Sequence, residues 1–119
     1  MNDRFFALGY KLHLAEDEGV WVATASRLDT GDAFGPPVPA DHADEAADRL
    51  AGWLEWQRAH TTALAALQAA ETDYHRLAAD RFGNPSEGTL RTAIRDALAR
   101  VDDLRRELDV VRGQRPWPH

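Results

Sequence analysis

Between Leu50 and Arg81, residues spaced three or four apart form an unbroken series, and most residues in the series are apolar or aromatic. The same spacing returns between Leu90 and Val111. Side chains at this spacing lie on one face of an α-helix. Two such stripes joined by a short turn form an antiparallel hairpin with interlocking side chains, so the spacing predicts a coiled-coil-like helical hairpin.

Capping and turn residues set the expected limits of these helices. Asp41 has the side chain of an N-cap, and acidic residues follow in the first turn, where the helix dipole favours them. The segment RFGNP interrupts the helical pattern, and Gly83 suits the left-handed conformation that ends many helices. We therefore expect a first helix over residues 41–82, a second over residues 85–112, and an extended tail over residues 113–119.

Upstream of residue 41, the apolar spacing changes to every second residue, as in a half-buried β-strand. This alternation runs from Phe6 to Leu14, and a second strand is expected in VWVATASRL, after the turn AEDEG. A third strand is expected in AFGPPV. It should lie at a sheet edge or be very short, because Pro36 and Pro37 cannot donate ladder hydrogen bonds.

So small a sheet needs a helix on one face. Apolar side chains at the start of the first predicted helix suit this position, namely Ala46, Ala47, Leu50, Trp53 and Leu54. The predicted fold class is therefore α+β. An N-terminal antiparallel β-hairpin or three-stranded sheet packs on the start of a long helix, which forms an antiparallel helical hairpin with a C-terminal helix. At 119 residues the chain is expected to be a single domain, with a β head over residues 1–40.

Composition and charge narrow the classes of function. The net charge of −6 is concentrated in residues 1–57, which carry four basic and eleven acidic side chains. Binding a phosphate backbone needs clustered Lys and Arg, so the charge disfavours a nucleic acid partner. The acidic residues can attract a basic protein partner or simply maintain solubility. The chain has no cysteine, no signal peptide pattern and no apolar run long enough for a membrane, so we expect a cytoplasmic protein without a membrane partner.

No residue pattern indicates catalysis or a cofactor. Neither serine lies in a Gly-x-Ser-x-Gly elbow, and GDAFGPP lacks the lysine and the following helix of a phosphate loop. Glu71 and His75 share one helix face at i,i+4 spacing, whereas di-metal sites in helical bundles use Glu-x-x-His at i,i+3. We interpret this pair as a surface contact, and we expect no enzymatic activity, no cofactor and no metal site.

Three polar residues interrupt the stripe of the first helix, namely Gln57, His60 and Glu71. The residues expected opposite them on the second helix are all apolar and offer no polar partner. We therefore expect each polar end to lie at the edge of the helix contact. The rival interpretation is that a buried polar residue fixes the register of the two helices.

Partner contacts are expected on the first helix and in the tail. A stripe of small side chains beside the main helix contact suits close approach of another helix, and it consists of Ala59, Ala63, Ala66 and Ala70. Trp56 points away from the core stripe and can anchor a partner. Trp117, between two prolines, belongs to a tail that folds back, docks on a partner or neighbouring protomer, or stays disordered. We expect a homo-oligomer, with a dimer favoured.

Part of the N-terminal region resembles a known family. The residues are YKLHLAEDEGVWVATASRL, then Gly31, then DEAADRLAGWLEW, over about residues 10–56. They look like the pattern of HicB-like domains. The resemblance implies a β-β-β-α fold and an antitoxin that binds a small RNA-cleaving toxin. The chain departs from the family pattern because Pro36 and Pro37 interrupt the third strand, and a helical hairpin follows in place of a DNA-binding segment.

The sequence therefore predicts a non-enzymatic protein–protein interaction or assembly protein that self-associates through its helical hairpin. The alternative is a HicB-like antitoxin or inhibitor whose acidic head covers a basic partner. A small metal-binding bundle enzyme is the third class, and the spacing of Glu71 and His75 disfavours it.

Overall fold

The structure is a computed structural model that describes residues 2–80 and 87–116. Its elements, in chain order, are helix α1 (Asn2–Leu8), strands β1 (Tyr10–Asp17), β2 (Val20–Arg27) and β3 (Ala33–Ala40), and helices α2 (Ala43–Asp80) and α3 (Glu87–Gly113). These residues form two compact units. The N-terminal unit contains residues 2–58 and 115–116, and the hairpin unit contains the described residues of 59–114. That the whole chain is a single domain stays a prediction.

The three strands form one antiparallel sheet in the order β1-β2-β3. β1 and β2 pair along their whole length, and the last pair before the turn is Asp17 with Val20. Glu18 and Gly19 connect them with φ angles of 51° and 81°. Two consecutive positive φ angles are what a type I′ hairpin turn requires. The turn predicted over AEDEG is therefore confirmed only at Glu18 and Gly19, because residues 15–17 continue β1.

β3 is longer than the sequence predicted, and it contains a bulge. Ala23 pairs with Val38 and Ala25 pairs with Phe34, so one residue of β2 faces the three residues 35–37 of β3. The prolines of this segment are tolerated because a bulge interrupts the ladder and because β3 lies at the sheet edge. The predicted edge position is confirmed, but the strand spans eight residues and is not short.

The first described element is a helix and not a strand. The alternating spacing predicted a strand from Phe6 to Leu14; this was correct from Tyr10, where β1 begins, and wrong before it, because Asn2–Leu8 is helical. Phe5, with 1% of its surface exposed, is the core residue of α1, whereas Phe6 is 61% exposed. Over so few residues, apolar spacing does not distinguish a helix from a strand.

The core of the N-terminal unit lies between one face of the sheet, α1 and the start of α2. Small side chains on β2 allow the helix to approach the sheet closely, and each large apolar side chain that is buried contributes about 1.5–3 kcal/mol. The predicted packing of the sheet on the start of the long helix is confirmed. The buried residues are Phe5, Ala23, Ala25, Val38, Ala40, Ala46, Ala47, Leu50, Ala51 and Leu54.

In the hairpin unit, α2 and α3 pack against each other, which confirms the predicted helical hairpin. On α3, the buried residues Val101, Leu104 and Leu108 have the i, i+3, i+7 spacing of the predicted stripe. On α2, Leu67 and Ala70 complete the buried core. Ala63, Leu64, Ala66 and Tyr74 pack against this core and are partly buried.

The helix limits differ slightly from those predicted. α2 begins at Ala43, and its first main-chain hydrogen bond runs from Ala46 N to His42 O. His42, and not Asp41, therefore occupies the N-cap position of the backbone. α3 extends to Gly113, one residue past its predicted end. The predicted turn RFGNP lies outside the described residues.

Candidate functional site

Four aromatic side chains of the N-terminal unit follow one another in ring contact. The centroids of Tyr10 and Phe34 lie 5.2 Å apart, and the two rings are stacked. The Phe34 and Trp53 centroids are 6.1 Å apart, and those of Trp53 and Trp56 are 6.5 Å apart, both with tilted rings. All four side chains are half-buried. We call Tyr10, Phe34, Trp53 and Trp56 the aromatic row.

Three elements bring the aromatic row together. Tyr10 begins β1, and Phe34 lies near the start of β3, so both neighbour the same end of β2. Trp53 and Trp56 are three residues apart on α2, which makes them neighbours on the helix surface. Aromatic pairs at about 4.5–7 Å contribute about 0.5–1.5 kcal/mol each beyond their burial. The contacts therefore hold each ring in a defined orientation.

Gly35 permits β3 to approach Trp53. It lies in the bulge with a φ angle of 83°, a conformation that residues other than glycine rarely adopt. A Cβ atom at this position would be 3.1 Å from Cζ3 of Trp53 and 3.5 Å from Cε3. Glycine is therefore required both for the backbone conformation and for the close contact with the indole ring.

Two arginines lie over rings of the aromatic row. The Cζ atom of Arg27 is 4.7 Å from the centroid of the Phe34 ring. That of Arg115 is 5.6 Å from the ring centroid of Trp56. Both arginines are exposed, and such cation–π contacts contribute about 0.5–1 kcal/mol at exposed sites. The surface thus combines Trp, Tyr and Arg, which are the residue types enriched among the strongest contributors to protein interfaces.

The indole nitrogen of Trp53 is buried, and it has no hydrogen-bond acceptor among the described residues. A buried donor without an acceptor costs about 1–3 kcal/mol. Most buried polar groups in folded proteins are paired, so an unpaired one calls for a physical reason. In this unit, the unpaired donor belongs to the aromatic row.

An open cavity of about 310 Å³ adjoins the Tyr10 end of the aromatic row. Its position next to exposed Leu28 suits a side chain of a protein partner better than an enclosed small ligand. The lining residues are Leu8, Gly9, Tyr10, Arg27, Leu28 and Asp29.

A surface ion pair connects α1 to α2. Arg4 Nε donates to Oε1 of Glu55 at 2.5 Å, and Arg4 Nη2 donates to Oε2 at 2.9 Å. The hydrogen bonds from Arg4 hold the pKa of Glu55 below its ordinary value of 4.5, and the bond to Glu55 raises the pKa of Arg4. Both side chains are nearly half exposed, so solvent screening limits the stabilisation to less than about 1 kcal/mol.

The predicted partner contacts lie in different environments. Trp56 belongs to the aromatic row. Ala70 is buried in the hairpin core, and Ala63 and Ala66 pack against that core, whereas Ala59 is exposed. Ala63, Ala66 and Ala70 were expected to allow close approach of a helix from another chain. In the structure they instead pack within the hairpin of this chain. Trp117 lies outside the described residues.

The three polar interruptions of the first stripe, Gln57, His60 and Glu71, are half-buried. Among the side chains described for residues 3–80 and 88–116, no polar or charged one is fully buried. The two observations agree with polar ends at the edge of the helix contact. His75 is exposed, as expected for a surface residue.

Most of the aromatic row was not predicted from the sequence. Tyr10, Phe34 and Arg27 were not singled out, and Trp53 was interpreted as a core residue only. The register of β3 and its bulge decide which strand side chains meet α2, and no local spacing encodes either one. The one available signal was the i,i+3 spacing of Trp53 and Trp56 on a predicted helix.

Within the described part of the chain, no group of three or more His, Cys, Asp or Glu side chains could hold a metal ion. None of its helices is both long and apolar enough to cross a membrane. No family model matches the chain, and no curated protein or solved structure is found to be similar to it. Function must therefore be inferred from the geometry of the molecule itself.

Proposed function

We propose that this chain is a non-enzymatic protein–protein interaction or assembly protein. It self-associates through its helical hairpin and binds a partner protein on the aromatic row. The observation that carries the proposal is the row itself, with four half-buried rings in continuous contact and two arginines over them. The proposal includes a cytoplasmic location, which the cysteine-free composition favours.

Half-buried rings in mutual contact are well suited to binding. Because neighbouring rings already hold one another, little side-chain entropy is lost when a partner covers them. Each Å² of apolar ring surface that the partner covers contributes about 25 cal/mol. Both terms favour a protein partner with an apolar contact surface.

Two observations on the hairpin unit support self-association. The described core contains five buried side chains, which is few for two helices of this length. On α3, Leu98 is 42% exposed and Val110 is 60% exposed. A second hairpin that packs alongside would cover more of this apolar surface and would form a helical bundle.

Affinity capture from the source cells tests the role of the aromatic row. The wild-type chain is compared with Trp56→Ala and with the matched control Phe6→Ala, which removes an exposed aromatic ring outside the row. Circular dichroism first establishes that all three chains are folded. We expect a protein that wild type and Phe6→Ala retain and that Trp56→Ala loses. Equal retention by Trp56→Ala would contradict the proposal.

The alternative function is a HicB-like antitoxin or inhibitor whose acidic head covers a basic partner. The observation that favours it is the order β1-β2-β3-α2, which agrees with the fold that the resemblance implies. Glu16, Asp17 and Glu18 are also exposed together at one end of the sheet. Co-expression with a small basic protein encoded beside this gene tests the idea. Protection from that protein's toxicity would support it, and the lack of a toxic basic neighbour would exclude it.

A further inference from the structure

The two edges of the sheet differ in what they offer to a further strand. At the β3 edge, a bulge and prolines interrupt the strand. Pro39 lies at a position whose backbone faces outward, and it has no N–H to offer there. The β1 edge is eight residues long, contains no proline, and pairs with β2 without a bulge. An edge of this kind is a ready template for another strand, whereas proline and bulges block one.

The pairing with β2 determines which backbone groups of β1 face outward. Leu28 N donates to Gly9 O at 3.1 Å, so Gly9 is bonded toward β2. Because an antiparallel ladder alternates, the odd-numbered residues of β1 share this direction. The N–H and C=O groups of Tyr10, Leu12, Leu14 and Glu16 therefore point away from β2. Within residues 2–58, no further strand lies beyond β1.

Of these positions, Tyr10, Leu12 and Leu14 pack against the core without being fully covered, whereas Glu16 is exposed. Leu12 and Leu14 pack against the core and are only half-buried. On the other two strands, Ala23 and Val38 are 0% exposed. The core of the N-terminal unit is therefore open on its β1 side. A strand beside β1 would cover both leucines and pair the outward backbone groups.

We infer that β1 pairs antiparallel with β1 of a second copy of this chain, so that two sheets join into one sheet of six strands. A two-fold axis perpendicular to the sheet places even-numbered residues opposite even-numbered residues, and these are the residues whose backbone groups face outward. Antiparallel order also brings Lys11 of one copy toward Asp17 of the other, which is opposite in charge and lies on the same face of the sheet. Because the β3 edge is blocked, the assembly closes at two copies.

Amide hydrogen exchange measured by NMR tests this contact directly. In the wild-type chain, the outward amides of Leu12 and Leu14 are expected to exchange more slowly as the protein concentration rises. Glu16→Pro removes an outward N–H without breaking a bond to β2, so it should abolish that protection. The matched control Glu16→Ala keeps the N–H and should keep the protection. Exchange of Leu12 and Leu14 that does not change with concentration would overturn the inference.

Cross-linking supplies a second, independent test, because the chain contains no cysteine. Single cysteines replace Lys11, His13 or Ala15, whose side chains are exposed on the outer face of β1. A short reagent with two thiol-reactive ends should link at least one of these variants into a covalent dimer. Thr30→Cys, in the exposed turn after β2, is the control and should remain uncross-linked. If all three β1 variants behave like Thr30→Cys, the two strands do not pair.

The β1 contact does not depend on self-association through the hairpin. Glu16→Pro affects the edge strand alone, and Leu98→Asp changes only an exposed side chain of α3. If Glu16→Pro abolishes the cross-link between β1 cysteines and Leu98→Asp does not, the contact lies at β1. If only Leu98→Asp abolishes this cross-link, the contact lies at the hairpin and the inference is overturned.

Discussion

At the residue scale, glycines with positive φ angles set where the strands turn and bend. Gly31 and Gly35 have φ angles of 77° and 83°. A substituted Cβ meets no atom within 4 Å at Gly31, but at Gly35 it meets Cζ3 of Trp53 at 3.1 Å. The two positions therefore share a backbone requirement and differ in their surroundings.

This difference predicts unequal effects of alanine. Both Gly31→Ala and Gly35→Ala place a side chain in a left-handed backbone, and such strain costs about 1–3 kcal/mol. Gly35→Ala should lower the free energy of unfolding further, because it also displaces the Trp53 ring. Urea denaturation of the two variants measures the difference. Equal losses would show that the approach of Gly35 to Trp53 does not contribute.

The ion pair of Arg4 and Glu55 predicts a pH dependence of stability. Because folding lowers the pKa of Glu55, the pair stabilises the folded chain fully above its ordinary pKa of 4.5. This stabilisation is lost as the pH falls through the lowered pKa. Near neutral pH, Glu55→Gln should thus lower the melting temperature and reduce the free energy of unfolding by less than about 1 kcal/mol. At about pH 2 the substitution should have no effect.

A double-mutant cycle with Arg4→Gln checks that prediction. Arg4→Gln also removes the contact of Arg4 with Asp48 at 3.6 Å, so the test is that the double substitution lowers stability by less than the sum of the two single losses near neutral pH. Additive losses would mean that the two side chains act independently of each other.

At the scale of single elements, the hairpin depends on a small number of buried side chains. Leu104 is 8% exposed within the α3 stripe, whereas Leu98 on the same helix is 42% exposed. Leu104→Asp should unfold the hairpin or lower its melting temperature strongly. A buried carboxylate without a partner costs several kcal/mol, against a total stability of about 5–15 kcal/mol.

Circular dichroism during heating measures this effect. Ala99→Asp is the control, because it introduces the same side chain on the same helix at an exposed position outside the apolar surface of α3. We expect a large loss of helix at lower temperature for Leu104→Asp and a small change for Ala99→Asp. An unchanged melting curve for Leu104→Asp would contradict the assignment of the hairpin core.

The elements that the sequence predicted are those that local spacing encodes. The stripe containing Val101, Leu104 and Leu108 repeats over several helical turns, so the helix and its buried face were both predicted correctly. α1 was missed because it has seven residues, too few for a helical period to emerge. The full length of β3 was missed because the bulge at residues 35–37 removes the prolines from the regular ladder.

At the scale of the whole molecule, the fold class was predictable and the candidate site was not. The aromatic row joins residues from β1, β3 and α2, and the pairing of Ala25 with Phe34 positions one of its rings. Such pairing is a long-range property that depends on the bulge. Of the four residues in the aromatic row, only Trp56 was predicted from the sequence as a partner contact. That the other three lie beside it is seen only in the structure.

Self-association is the central claim for the whole molecule, because both the hairpin contact and the β1 contact need a second copy. Light scattering coupled to size exclusion, at micromolar protein concentration, measures the mass directly. We predict a mass of at least twice 13.3 kDa for the wild-type chain. A single species of 13.3 kDa at every concentration would contradict self-association through either surface.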